Sequence, residues 1–370
     1  KYKKLTYQTG VNIIVDPDEI FIADAVTHSY NYSKSNWRKE RYANQVCELG
    51  MAMEASMPPP YRRTRDSYLS DWDVEDTTNV LFRESYTDFA VFHPQTITIF
   101  DDGLTSLEKA REFLKRNPKR AAGFASVDLF GMDDPFEELT RQVEEFEPHG
   151  VKVYPSYWED DGHKSFKMDD PEMAFPLWEH VQNLGLDVVA VHKAVPFGPA
   201  PMEPYKVGDV DEAAANFPDL NFEIVHGGMA FAEETGWQIA RHPNVYVNLE
   251  ITAIECALSS KSFVDIMEKL LYPGGKSALN KILYGSGAPH FHPQLLIDSL
   301  WEFDFPEMEW IGGSYEITQK DKRKILGENL FEAHKLDKDE IRQDISNDEF
   351  SKRSEIAEPY STTNFEVDGD

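Results

Sequence analysis

Cysteine is almost missing from this 370-residue chain, in which Cys47 and Cys256 are the only two. That excludes a disulfide framework and a cysteine-rich metal site. Basic residues are scarce beside acidic ones, 37 against 66, giving a net charge of −29. A polyanion is not drawn to nucleic acid or to an anionic membrane, so neither is an expected partner. The acidic surface is read as a solubility feature. No apolar run reaches the roughly 18 residues of a membrane span. The opening KYKKLTYQTG has no apolar signal core, and a cytoplasmic protein is expected. No glycine-rich GxGxxG follows any strand-like run, which argues against dinucleotide binding.

What is present is an alternation. With 41% hydrophobic residues the chain can fill one large core or two ordinary ones. Eight β-rich runs occur between residues 20 and 335: EIFIADAV, DFAVFH, RAAGFASV, GVKVYP, DVVAVH, NFEIVH, NVYVNLE and NKILYGS. Helical signals separate them. Asp134-Pro135-Phe136-Glu137 supplies an N-cap, a first-turn proline and a capping-box glutamate. Asp170-Pro171 repeats the start signal, and Gly185 suits a helix C-terminus. Near-continuous apolar strands alternating with helices predict a parallel sheet covered on both faces. Eight repeats in this length predict an α/β fold, a closed (β/α)8 TIM barrel.

Three regions flank or interrupt the barrel expected over 20–335. Residues 1–19 form an N-terminal extension. Residues 31–87, after the first strand, are rich in Tyr, Trp and Arg and contain Pro58-Pro59-Pro60. An insertion there emerges at the C-terminal face, as a lid or a subunit contact. Residues 336–370 form an acidic tail, with 11 acidic and 4 basic residues from Asp337 onward. Its composition predicts disorder or an extended arm lying on a partner chain.

Six of the eleven histidines stand at or just beyond predicted strand ends: His28, His93, His192, His226, His290 and His292. In a barrel these positions open into one funnel, together with Asp128, Tyr154 and Glu250. Alternation puts Val188, Ala190 and His192 on one face, Phe222, Ile224 and His226 on another, and Tyr246, Asn248 and Glu250 on a third. Neutral imidazole and carboxylate suit Zn, Fe or Mn. A lone histidine at a strand end is more often a satisfied hydrogen-bonding residue than a ligand. Two on consecutive strands, each closing an apolar run, favour ligation for His192 and His226. His28 joins them as a metal ligand, and Glu250 is either a fourth or the partner of a nearby cation. His93 precedes Pro94 and reads as a turn residue. His290 and His292 are candidate catalytic groups. Lys152 is either a charge partner inside the barrel or a modified bridging ligand. Tyr154, Trp158, Phe197 and Phe291 fit a partly apolar mouth or the packing of the insertion.

The chain resembles the amidohydrolase-related branch of the amidohydrolase superfamily. The resemblance spans residues 20 to about 335. It rests on IFIADAVTHS, GVKVYPSYW, VVAVHKA, FEIVHGGM, HPNVYVNLE and KILYGSGAPHFHP followed by KILGENLFE. Such proteins carry D-x-H-x-H or D-x-D-x-H on the first strand, a His after the fifth and sixth, and G-S-D-x-P-H after the eighth. The resemblance implies that His192 and His226 are metal ligands and that His290 is the closing-phrase histidine. Asp24 and His28 match the ends of the first motif, but Val26 replaces its central ligand. Gly287 replaces the Asp that handles the proton of the attacking water. One or two divalent ions (Fe, Mn or Zn) and a small-molecule substrate are implied. Loss of two ligand positions points to a subunit of a hetero-oligomeric, non-haem metal-dependent monooxygenase, paired with a homologous subunit. The alternatives are a self-sufficient metal-dependent hydrolase or decarboxylase with a re-made ligand set, as a homo-oligomer or alone, and a non-catalytic binding protein.

Overall fold

The computed structural model describes residues 20–159, 162–196, 200–351 and 356–368. Eight strands alternate with helices: β1 Ala23–Thr27, β2 Phe89–Phe92, β3 Ala121–Val127, β4 Gly150–Val153, β5 Val188–His192, β6 Asn221–Val225, β7 Val245–Asn248 and β8 Ile282–Leu283. Each pairs in parallel with the next, in chain order. The first and last meet through backbone bonds from Ala25 to Tyr284 (2.9 Å), Gly287 to Val26 (2.9 Å) and His28 to Ala288 (2.8 Å). The chain is therefore an α/β TIM barrel, and all eight predicted runs supply its strands.

Register defines the inside. Ser126, Lys152, Ala190, Glu223 and Tyr246 are lateral neighbours across β3 to β7. Side chains at such positions share one face of the sheet, here the barrel interior. One residue further on, Val191, Ile224 and Val247 are neighbours and pack outward in the main hydrophobic core. Leu330 and Phe331 join an inner cluster with Ala23, Val91, Val188 and Ala190, closing the end of the barrel opposite the strand C-termini.

Helix signals work locally. The carboxylate of Asp134 caps the helix Pro135–Phe146, accepting the amides of Phe136 and Glu137. The second start signal is displaced. Asp170 accepts the amides of Glu172 and Met173 in a preceding turn, and the helix begins at Ala174. Gly185 ends that segment at φ +77°, a conformation costly for any residue with a Cβ.

Residues 31–87 lie over the C-terminal mouth. Helix α1 (Glu40–Glu54) is followed by short turns and the helix Val74–Phe82. Behind α1, Arg63 is fully buried and forms a bidentate pair with Glu54 (3.0 and 2.9 Å). The rings of Tyr68, Trp72, Tyr360 and Phe365 surround its guanidinium.

Over its described residues the acidic tail departs from the expectation of disorder. Residues Lys338–Asp344 are helical, and residues 356–368 return to this chain's own insertion. Glu84 accepts the amides of Tyr360 and Thr362, each at 2.7 Å, and Asp76 accepts that of Asn364 at 2.9 Å. Tyr360 and Phe365 are buried. Two anchoring rings and two carboxylate acceptors outweigh the segment's composition. Residues 1–19 and Phe197, both singled out in the sequence, lie outside the described residues. No helix among the described residues is long and apolar enough to cross a membrane.

Candidate active site

At the strand C-termini a cavity of about 790 Å3 opens between the barrel and the insertion. Its inner end is lined by His192, His226, Glu250, Gln95 and His290. His192 and His226 arrive by different routes. His192 continues the inward alternation of Val188 and Ala190. Phe222 and Ile224, by contrast, face outward, so regular alternation would carry His226 away from the site. The chain corrects this at His226 itself, which is left-handed at φ +66°. That backbone costs on the order of 1–2 kcal/mol for a non-glycine residue. The grouping of His226 with Phe222 and Ile224 therefore fails, although the residue reaches the site.

The hydrogen bonds run in one direction. His192 donates from Nε2 to the carbonyl of Val195 (2.8 Å), which leaves Nδ1 as an acceptor. Nε2 of His226 lies 2.9 Å from that Nδ1 and must donate to it. Nδ1 of His226 then faces the carboxylate of Glu250. Two acceptors cannot meet without a proton between them, so the His226–Glu250 pair holds one. Burial pushes the Glu250 carboxyl up, but His226, His28 and Lys152 outweigh it and hold the group below the usual carboxylate range. Burial holds His192 well below its ordinary value, reinforced by the neighbouring His226 and Lys152. The side-chain oxygen of Asn248 accepts the amides of both His226 (3.4 Å) and Glu250 (3.2 Å). Its amide donates to Glu223, which in turn holds His334 at 2.8 Å. Asn248 thus ties the two loops that carry the pair.

The remaining expected site residues separate. His28 donates from Nδ1 to the carbonyl of His93 (2.7 Å), and its Nε2 accepts from Gln95 (3.2 Å). Burial lowers its pKa to about 3, and Gln95, not His28, lines the cavity. His28 stands behind Gln95, off the cavity wall but within electrostatic reach of His192, His226 and Glu250. His290 lines the cavity, with Nδ1 3.0 Å from the Tyr68 hydroxyl and its carbonyl accepting from Arg63 at 2.9 Å. His292 does not line it. That imidazole caps the helix Pro293–Glu302 and lies 3.2 Å from Glu84. Tyr154 stacks on His192 with centroids 4.7 Å apart, and Phe291 lines the cavity. Trp158 is buried in a separate core cluster. Lys152 lies below the site, and burial lowers its pKa to about 7 against the opposing pull of Glu250 and Glu223.

The donor set suits a metal in part. If Nε2 of His226 gives up the proton it shares with Nδ1 of His192, the two nitrogens, 2.9 Å apart, are spaced as two ligands of one ion would be. Each imidazole has its other nitrogen held by a carbonyl or a carboxylate, the outer support that metal-ligating histidines receive. Glu250 stands against Nδ1 of His226, the position of such an outer support. Among the described residues no three His, Cys, Asp or Glu groups could together hold an ion.

Barrel and strand-end histidines define a (β/α)8 protein with a candidate active site at the C-terminal mouth. The amidohydrolase family model matches residues 44–329, and the chain belongs to that family. An uncharacterised TIM-barrel protein from Bordetella bronchiseptica superimposes with a TM-score of 0.57 at 16% identity, covering 85% of this chain and 98% of that one. A dihydroxybenzoic acid decarboxylase from Polaromonas, with bound manganese and the inhibitor 2-nitroresorcinol, gives 0.52 at 14% identity, with coverage of 87% and 99%. 2,6-Dihydroxybenzoate decarboxylase from Rhizobium gives 0.50 at 16%, with coverage of 85% and 99%. No curated protein matches the sequence.

Two contributors were not singled out in the sequence. Gln95 follows Pro94 just past β2 and takes the cavity face of His28. Arg63 lies in the insertion and holds the carbonyl of His290. Position beyond a strand end was the available signal for Gln95; Arg63 offered none.

Proposed function

We propose that this chain is a decarboxylase of a carboxylic acid whose α-carbon can carry developing negative charge, as in a hydroxylated aromatic or enolic acid. The carrying observation is the contact between Nδ1 of His226 and the Glu250 carboxylate at the inner end of a largely apolar cavity. Hydrolysis requires a base to orient an attacking water, and Gly287 leaves that position without a side chain. Decarboxylation has other needs. The C–C bond breaks, CO2 leaves, and the electron pair stays on carbon until a proton reaches it. The His226–Glu250 pair supplies that proton, and solvent replaces it. Apolar walls strip water from the substrate carboxylate. A divalent ion, when bound, would be held by His192 and His226 and would supply positive charge for the electron-rich oxygen of the substrate. Manganese in the Polaromonas decarboxylase supports a divalent ion, and the decarboxylase names of two neighbours support the reaction class. The oxygenase-subunit expectation, with its iron, has no support among these neighbours, and the decarboxylase alternative fits them better.

The test is CO2 release from a panel of hydroxybenzoates and β-oxo acids. Glu250→Gln should lower turnover at least about a hundredfold, the scale of general acid–base catalysis, with little change in substrate affinity. Ester or amide hydrolysis without CO2 release would reverse the assignment.

A further inference from the structure

The cavity is larger and more apolar than one carboxylated ring requires. Its volume of about 790 Å3 lies in the upper part of the roughly 300–1,000 Å3 range of small-molecule sites. One wall is α1, where Val46, Leu49, Gly50 and Met53 recur at helical spacing along the side facing the cavity. The facing wall is built from Ile251, Ile254 and Leu258, on the segment that follows β7. Charge flanks the apolar walls at both ends, with Glu255, Asp265 and Lys269 among the more exposed lining residues. The imidazoles and carboxylate collect at the buried inner end, whereas Leu49 and Leu258 line the cavity yet are 55% and 42% exposed. They therefore mark its rim. A single exposed leucine needs no explanation, but two that continue apolar walls to the opening extend one surface from site to solvent.

The geometry points to an amphipathic substrate: a carboxylic acid whose charged head meets the His192–His226 end and whose apolar tail runs outward between α1 and the Ile251–Leu258 segment. Leu49 and Leu258 are specificity-determining residues for that tail. The tail follows from the walls alone, and the identity of the head as a carboxylate rests on the decarboxylase reading.

The experiment measures binding and chemistry separately on the full chain. Hydroxybenzoates carrying alkyl chains from none to octyl are titrated by calorimetry, and CO2 release is followed in parallel. Kd should fall about fourfold for each added methylene, the value of a buried CH2, until the rim is reached. Leu49→Gln and Leu258→Gln should flatten this dependence; both residues are exposed enough for the fold to accept the change. A Kd indifferent to chain length, or no binding by any member, overturns the inference. Chain-length dependence without CO2 release keeps the amphipathic substrate and overturns the decarboxylase reading. CO2 release from the unsubstituted ring with a flat chain-length profile does the reverse.

Discussion

A Cβ placed on Gly287 would lie 2.5 Å from Oε1 of Glu250. The space beside residue 287 is already filled by the carboxylate that reaches in from the end of β7. Absence of a side chain at 287 and presence of a carboxylate at 250 are thus one packing solution. Gly287 also sits at φ +69°, so Gly287→Ala carries a backbone cost of about 1–2 kcal/mol even where space exists. The steric part should appear as coupling. In a double-mutant cycle with Glu250→Ala, the penalty of Gly287→Ala should shrink by about 0.5–3 kcal/mol. Gly287→Asp should reduce turnover without creating hydrolysis. Additive urea midpoints would show that the two positions do not share this space.

The paired imidazoles give a metal prediction. Manganese added to the purified chain should raise Tm, with stabilisation of about 2.7 kcal/mol at a hundredfold excess over Kd. His192→Ala should abolish the shift, and His28→Ala, at a residue turned to Gln95, should leave most of it. Elemental analysis before and after chelation gives an independent readout. Equal metal content in wild type and His192→Ala would place any ion elsewhere.

The barrel was legible in the sequence because buried parallel strands are continuous apolar runs, and those runs need no tertiary information to be seen. His192 was legible for the same reason, since it closes such a run in phase. His226 was found at the right place through the wrong phase, because one left-handed residue reverses the face and no residue type announces it. His292 lies off the cavity wall. Its partner Glu84 is 208 residues distant, and nothing near it in the chain distinguishes a helix cap from a catalytic group. The tail misled by composition, since its acidic count conceals Tyr360 and Phe365, which anchor on Arg63.

Arg63 should be the most destabilising single site in the insertion. Arg63→Met leaves Glu54 charged, buried and alone, which costs about 3–5 kcal/mol. The double variant Arg63→Met/Glu54→Leu should recover most of that loss, because it removes both desolvated charges. Chemical denaturation of the three variants measures this. Loss confined to the single variant supports the pair; equal loss in the double variant would mean that the ring cluster around Arg63 carries the stability instead.

Lys152 makes stability depend on pH in a direction opposite to a surface lysine. Its pKa is about 7 in the folded chain and 10.5 when unperturbed. Between those values the unfolded chain binds a proton that the folded chain does not, so stability rises with pH across that window. Below pH 7 the folded state must bury an ammonium, at a cost on the order of a few kcal/mol. Lys152→Met removes the group and with it the slope. The variant should gain most over wild type below pH 7 and least above pH 10.5, read from urea midpoints along a pH series. A parallel offset at every pH would mean that the Lys152 amine keeps its charge inside the barrel, paired to Glu250 or Glu223.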